Sequence, residues 1–280
     1  MQDYSNNNPG AAIAVLRDGE VIARECSGLA DLEARTPVTP STNFRLASVT
    51  KPFIAAGITI LVERGVLRYD DPIARWFAID SITIHQLLTH TSGLVDYEDL
   101  IPPEQTEQVS DADVVRMLEA TRRTLFTPAS QFRYSNSGYV LLGLILERVS
   151  GRSLEDFLRD EIFAKHGMQG TTLGPPTANR AYGYDRDGSN WIRRDQTVTS
   201  ATRGDGGIYS SIDDLARWVA ALRAELGWFV ADGMIYHLGD TVSFRNAIVR
   251  WPAEKVSVIV LTNRNEGDPF HIAERCRLGG

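Results

Sequence analysis

The stretch SVTKPFIAAGITILVERG, residues 48–65, decides how the chain is read. Phe53, Ile54, Ala55, Ala56, Ile58, Ile60, Leu61 and Val62 occupy every side of a helix, and a helix that is apolar all round is a buried central one. Pro52 fits only its first turn, and Gly65 stands where the helix must stop. Gly57 inside it marks close packing against a neighbour. Ser48 and Lys51, three residues apart at the start of this segment, share one helical face. A serine hydroxyl is a poor nucleophile until a base takes its proton. A lysine serves as that base only as the free amine, and burial disfavours the charged form. The start of a helix also offers backbone N–H groups and a positive dipole end to an oxyanion.

Working outward, AAIAVL (11–16) and VIARECSG (21–28) flank Arg17-Asp18-Gly19-Glu20, a hairpin signal. Asp70-Asp71-Pro72 reads as a turn after the central helix. ITIHQLLTH (82–90), DADVVRMLEATRR (111–123), GYVLLGLILERVSG (138–151) and SLEDFLRDEIFAKHG (153–167) carry helical periodicity, with Gly151 and Gly167 as C-terminal caps. Residues 168–206 read as loops and short strands, and GDGG (204–207) as a turn rather than a phosphate loop, since no lysine follows it. Ser210 or Ser211 starts a further helix with Asp213 and Asp214 in its first turn. MIYHL (234–238), VSFRNAIVRW (242–251) and VSVIVLTN (256–263) are β-type, and DPFHIAERCRL (268–278) closes the chain as a helix. Strands open and close the chain while helices fill its middle. The expected fold is therefore α+β, an antiparallel sheet built from both termini and flanked by helices, with an inserted mostly helical lobe. The expected sheet lobe takes residues 1–75 and 206–280, and the helical lobe 76–205.

Two further motifs follow the Ser48/Lys51 pair. In Tyr134-Ser135-Asn136, just before an apolar helix, the phenol can relay a proton to a leaving group. The Asn136 amide can donate to a substrate carbonyl or hold the lysine. His237-Leu238-Gly239 lies on a strand, where glycine permits close approach of a substrate backbone. The N–H of the next residue, Asp240, can complete an oxyanion hole with that of Ser48. Each motif alone is weak, because serines and asparagines cap helices and strand histidines are common. Their order and their placement on helix start, pre-helix loop and strand make the set specific, and it parallels the S-x-x-K, S-D-N and K-T-G set of β-lactamases and penicillin-binding proteins.

On these motifs, and on FRLASVTKPF, ITIHQLLTHTSGL, YSNSGYVLLGLILERVSG, GGIYSSIDDLARW and FRNAIVRWPAEKVSVIVLTN, the chain resembles the class C β-lactamase-like serine hydrolases. That group takes in D,D-peptidases, D-aminopeptidases and family VIII esterases. The resemblance covers nearly the whole chain. It implies an antiparallel sheet of five or more strands beside an all-helical lobe, with the site between them. It implies an acyl-enzyme on Ser48, with Lys51 and Tyr134 sharing the proton work. Asn136, His237, Gly239 and Asp240 are then the substrate and oxyanion residues. Two departures stand out. Only GWFVADGMIY (227–236) separates ALRAEL from the third motif, so part of a sheet edge or cleft wall is expected to be missing. Leu238 and Asp240 replace the usual small residues, so the cleft is expected to be narrower and more negative, and to favour neutral esters over carboxylate-bearing β-lactams.

Composition narrows the alternatives. The 280 residues are 43% apolar and 23% charged, enough for a sizeable core, and carry a formal charge of −7 without an acidic run. Nucleic acid is disfavoured as a partner, since that needs a basic patch. The expected partner is a small ester, amide or β-lactam, and no cofactor is implied. His85 and His90 form no H-E-x-x-H motif, so no metal is expected, and His90 reads as structural. The absence of G-x-S-x-G argues against an α/β-hydrolase. Cys26 and Cys276 are either two buried free thiols or one bridge between the ends. No apolar stretch approaches the ~20 residues that span a bilayer. A polar MQDYSNNNPG start fits a cytoplasmic protein, or an exported one freed of its signal.

Overall fold

The computed structural model describes residue 4 and residues 7–121, 123–222 and 226–278. Six strands form the main antiparallel sheet: β1 (Ala11–Arg17), β2 (Glu20–Ser27), β3 (Phe229–Ala231), β4 (Met234–Thr241), β5 (Phe244–Trp251) and β6 (Val256–Thr262). Their spatial order is β3-β4-β5-β6-β1-β2. Residues from near the two ends of the chain pair across the middle, Ala11 with Thr262 through Arg17 with Val256. Asp18 (φ 52°) and Gly19 (φ 83°) both take the left-handed conformation that a two-residue hairpin needs.

The helices are α1 (Lys51–Glu63), α2 (Ile84–Leu88), α3 (Asp111–Thr121), α4 (Asn136–Ser150), α5 (Leu154–Leu158), α6 (Ile212–Ala221) and α7 (Pro269–Leu278). One sheet face looks onto α1, α4 and α6, the other onto α7, and each face has its own apolar core. The centre of the larger core is α1. Its Phe53 ring stacks 3.6 Å from that of Trp218 on α6 and meets Phe163 edge-on at 5.9 Å. Gly57 sits against Leu146 and Phe157, the tight contact its sequence position implies. The antiparallel sheet with its flanking helices is the expected fold.

Several elements depart from the sequence reading. The central helix begins at Lys51, and Ser48 lies in a 3₁₀ turn, Ala47–Thr50, that leads into it. The second helix is shorter than 82–90 because Thr83 caps it, in a reciprocal capping box with Gln86. Residues 153–167 are not one α-helix: after α5 the chain runs through a π turn, Arg159–Phe163, and a 3₁₀ turn to Gly167. The short segment before the third motif does not leave the sheet edge bare over its whole length. It supplies β3, which joins β4 through Asp232 (φ 50°) and Gly233 (φ 74°). The Asp-Gly signal that marks the first hairpin recurs there, and sequence reasoning passed over it.

Cys26 packs into the helix-side core and Cys276 into the α7-side core. Both are free thiols, on opposite faces of the sheet. Among the described residues no helix is long and apolar enough to cross a membrane.

Candidate functional site

A small second sheet aims the site. Phe44–Arg45 pairs with Ile208–Ser210, which pairs in turn with Thr172–Leu173. The Leu46 N–H donates to the Ile208 carbonyl at 2.8 Å, and the Ile208 N–H to Thr50 Oγ1 at 3.1 Å. These bonds lay the 204–207 loop directly against the Ser48 turn. Ala47, immediately before Ser48, has φ 51°, a left-handed backbone uncommon for alanine that turns the chain sharply at this point.

Lys51 is fully buried. Its Nζ lies 2.9 Å from Ser48 Oγ, 2.8 Å from Asn136 Oδ1 and 2.8 Å from the Asp205 carbonyl. Asn136 Oδ1 and the Asp205 carbonyl can only accept, so Lys51 donates to both, and the remaining position on Nζ points at the Ser48 hydroxyl. The ring of Tyr134 is centred 4.9 Å from the same Nζ. Asp205 belongs to the GDGG segment that sequence reasoning set aside as a turn. Glycine is required beside it, because a Cβ on Gly204 would stand 2.3 Å from the Tyr139 carbonyl of α4. Consecutive glycines between two strands were the available signal.

Tyr134 is held from below by His90, whose ring lies 4.5 Å away. His90 Nδ1 accepts the Ser135 N–H at 3.1 Å, which puts the ring hydrogen of the neutral form on Nε2. Burial first, and the Lys51 charge second, lower His90 to about 3. The structural reading of His90 agrees with this packing. Phe229 on β3 lies 6.1 Å from the Tyr134 ring and 5.3 Å from that of His237, so it ties the new edge strand to two of the three motifs.

The third motif reaches the site by close backbone contact. A Cβ on Gly239 would stand 2.1 Å from the Leu46 carbonyl and 3.2 Å from Val49. Its cross-strand partner Asn246 donates to the Arg45 carbonyl at 2.9 Å and to that of Leu46 at 3.3 Å. His237 is buried, with Nδ1 donating to the Leu238 carbonyl at 2.7 Å. Burial, then Lys51, lowers it to about 3 as well. Side chains alternate along a strand. With Gly239 turned toward the Ser48 turn, Leu238 and Asp240 project from the opposite face. The Asp240 carboxylate is 68% exposed and ion-paired with Arg245. The expectation that these two side chains narrow and charge the cleft is therefore corrected, and only the Asp240 backbone remains on the site side.

The side of the site built by the helices carries acids that the motif reading missed. Asp96 Oδ2 accepts the Asn136 N–H at 2.8 Å, and Glu98 Oε1 accepts from Asn136 Nδ2 at 3.1 Å. The Tyr97 hydroxyl donates to Asp205 Oδ2 at 3.0 Å. Burial is the first cause that raises both Asp96 and Glu98 above the usual carboxylate range, with neighbouring acids adding to it.

Residues 1–226 match the family model described as Beta-lactamase. Penicillin-binding protein 4* of Bacillus subtilis is 28% identical, over 91% of this chain and 68% of that protein. A D-aminopeptidase of Brucella anthropi is 33% identical over 75% of this chain, and the match takes in only 42% of the relative. The solved octameric penicillin-binding protein homologue from Pyrococcus abyssi aligns with a TM-score of 0.84 at 26% identity, covering 98% of this chain and 74% of that one.

Proposed function

Since the chain belongs to the beta-lactamase family of serine hydrolases, we propose that Ser48 attacks the carbonyl of a carboxylic ester or related amide and carries the acyl group. Lys51, as free amine, takes the Ser48 proton while Oγ bonds to the carbonyl carbon. The N–H groups of Ser48 and Asp240 receive the oxyanion. When the tetrahedral adduct collapses, the alcohol or amine leaves with a proton delivered through Lys51 and Tyr134. Water then adds to the acyl-enzyme by the reverse proton route and releases the acid. The observation that carries this reading is the buried Lys51 amine, held by two obligate acceptors and facing Ser48 Oγ at 2.9 Å.

Esters are the first substrate class, with amides of small peptides next, a reading favoured by the likeness to a D-aminopeptidase. β-Lactams rank below both. Apart from Lys51, the site offers a substrate carboxylate no cationic partner among the residues assigned to it, because burial keeps His237 and His90 neutral. A penicillin-binding scaffold without turnover is the rival. An activated ester and a fluorophosphonate, followed by intact mass and peptide mapping, separate the two. The expected result is one adduct, on Ser48, with turnover of the ester. An undiminished adduct in Ser48→Ala would refute the assignment.

A further inference from the structure

Proton delivery to a leaving group needs the Tyr134 phenol in one orientation, and hydrogen bonding does not supply it. Tyr134 lies in irregular chain just before α4, and its hydroxyl makes no hydrogen bond among the described residues. Its ring is set by neighbouring rings. His90 lies 4.5 Å away at 29°, and Phe229 lies 6.1 Å away at 27°. His90 is tied to the same stretch of chain, since its Nδ1 accepts the Ser135 N–H. Phe229 comes from elsewhere, from the edge strand β3, where its backbone pairs with Tyr236 of β4.

The Phe229 ring is the hub of that corner. Besides Tyr134 it meets His90 at 6.3 Å, Phe132 at 6.3 Å, Tyr236 at 5.6 Å and the third-motif His237 at 5.3 Å. It thus links the phenol of the second motif to the strand of the third. With Leu88, His90, Phe132 and Trp228 it also borders a cavity of about 190 Å³. Removing the Phe229 ring would enlarge a space that already exists, and neighbours close such a space only in part. Tyr134 would then turn more freely about its side-chain bonds, because the second ring that fixes it is gone.

We infer that Phe229 is a positioning residue, which fixes the Tyr134 phenol where it passes its proton to the leaving group. This rests on the acyl-transfer reading of Ser48 and deepens it. The step served is collapse of the tetrahedral adduct. The bond from the carbonyl carbon to the leaving oxygen or nitrogen breaks, and its electron pair stays on the departing atom. That atom receives the Tyr134 hydroxyl proton, and the Lys51 ammonium returns to Tyr134 the proton it took from Ser48. A nitrophenolate departs as a stable anion and needs no proton at this moment. An alkoxide does need one, so the contribution of Phe229 depends on the leaving group.

The test measures kcat/KM, which reports acylation, for ethyl butyrate by pH-stat and for p-nitrophenyl butyrate by absorbance. The proteins are the wild type, Tyr134→Phe, Phe229→Ala, Phe229→Leu and Val230→Ala, with folding checked by thermal melting. Val230 is the control, 61% exposed and one step along the same strand, where side chains reverse direction. Tyr134→Phe should lower the ethyl to p-nitrophenyl ratio by about 10²–10⁴-fold, the scale of a lost general acid. Phe229→Ala should lower the same ratio by about tenfold or more, as a misplaced group does. Phe229→Leu refills most of the volume and should regain part of the ratio, while Val230→Ala should leave it unchanged. If Phe229→Ala does not fold, Phe229→Leu carries the comparison against the wild type with a smaller fall. A merely structural role would lower both constants equally. An unchanged ratio in the Phe229 variants, beside a shifted one in Tyr134→Phe, overturns the inference alone. An unchanged ratio in Tyr134→Phe takes Tyr134 out of the proton route and overturns the inference with it. Absence of both labelling and turnover at Ser48 overturns the acyl-transfer reading itself.

Discussion

Replacing Gly239 by alanine adds one methyl group, and the structure says where it goes. The new Cβ would lie 2.1 Å from the Leu46 carbonyl oxygen and 3.2 Å from both Val49 Cγ2 and Asn246 Nδ2. An ordinary contact needs at least a further ~1 Å, and the obstacle is backbone, which cannot swing away as a side chain does. β4 and the Ser48 turn must therefore separate by about an ångström. Asn246 holds the same Leu46 and Arg45 carbonyls, so the strain spreads to β5. Overpacking of this kind costs about 1–3 kcal/mol of stability. The larger effect is on chemistry. The two oxyanion donors assigned to the site sit on the two elements being pushed apart, and a misplacement of about 1 Å costs on the order of 10²-fold. Gly239→Ala should thus melt a few degrees lower yet lose about 10²-fold in kcat/KM for an activated ester, with a parallel fall in fluorophosphonate labelling rate. Leu238→Ala, one residue away on the opposite face, is the control. If folded Gly239→Ala kept kcat/KM within a few-fold of wild type, the contact between strand and turn would not be what shapes the oxyanion site.

Three further outcomes follow from the same geometry. Lys51→Ala should lose about 10²–10⁴-fold in turnover, and Lys51→Arg should fail with it, because guanidinium does not give up its proton; near-native turnover in Lys51→Arg, read by steady-state kinetics, would move the base to Tyr134. Asp240→Ser with Leu238→Thr should leave the ratio of ester to penicillin specificity constants where it was, since both side chains leave the sheet on the far face; a shift toward penicillins would contradict that placement. Acid should weaken the fold through His90 and His237. Each is lowered from 6.5 to about 3 by burial, so the unfolded chain takes up protons that the folded one refuses. The stabilising contribution is therefore complete above pH 6.5 and declines as pH falls toward about 3, with a size on the order of several kcal/mol. The raised carboxyls of Asp96 and Glu98 act in the opposite sense, so the readout is a difference. Urea melts at pH 7 and pH 5 should show a smaller acid-induced loss in His237→Asn than in the wild type, and an equal loss would remove His237 from the account.

Much that is local in the chain was legible before folding, though the Thr83 cap, the break after α5 and the Asp232-Gly233 hairpin were not. The buried character of α1 is written in its eight apolar residues, and the three-residue spacing of Ser48 and Lys51 brings hydroxyl and amine together in any helical turn, 3₁₀ or α. The Asp18-Gly19 hairpin, the Gly151 and Gly167 caps and the strands 256–263 and 242–251 depend on residues a few positions apart. The three motifs were legible for the same reason, each being a short string on one element. The fold class and the family followed from their order.

Tertiary structure decided what lies between elements. The carbonyl that completes the Lys51 cradle comes from Asp205, 154 residues away, and reaches it only because a second sheet pairs Phe44–Arg45 with Ile208–Ser210. Glu98 meets Asn136 across 38 residues, and no spacing rule links them. The facing of Leu238 and Asp240 depends on parity: one step along a strand reverses a side chain, and the burial of Gly239 against the Leu46 carbonyl sets which parity holds. A sequence states which side chains a strand alternates. Only packing against a partner states which of the two sets faces the nucleophile, because that choice is made by contacts formed when distant segments meet.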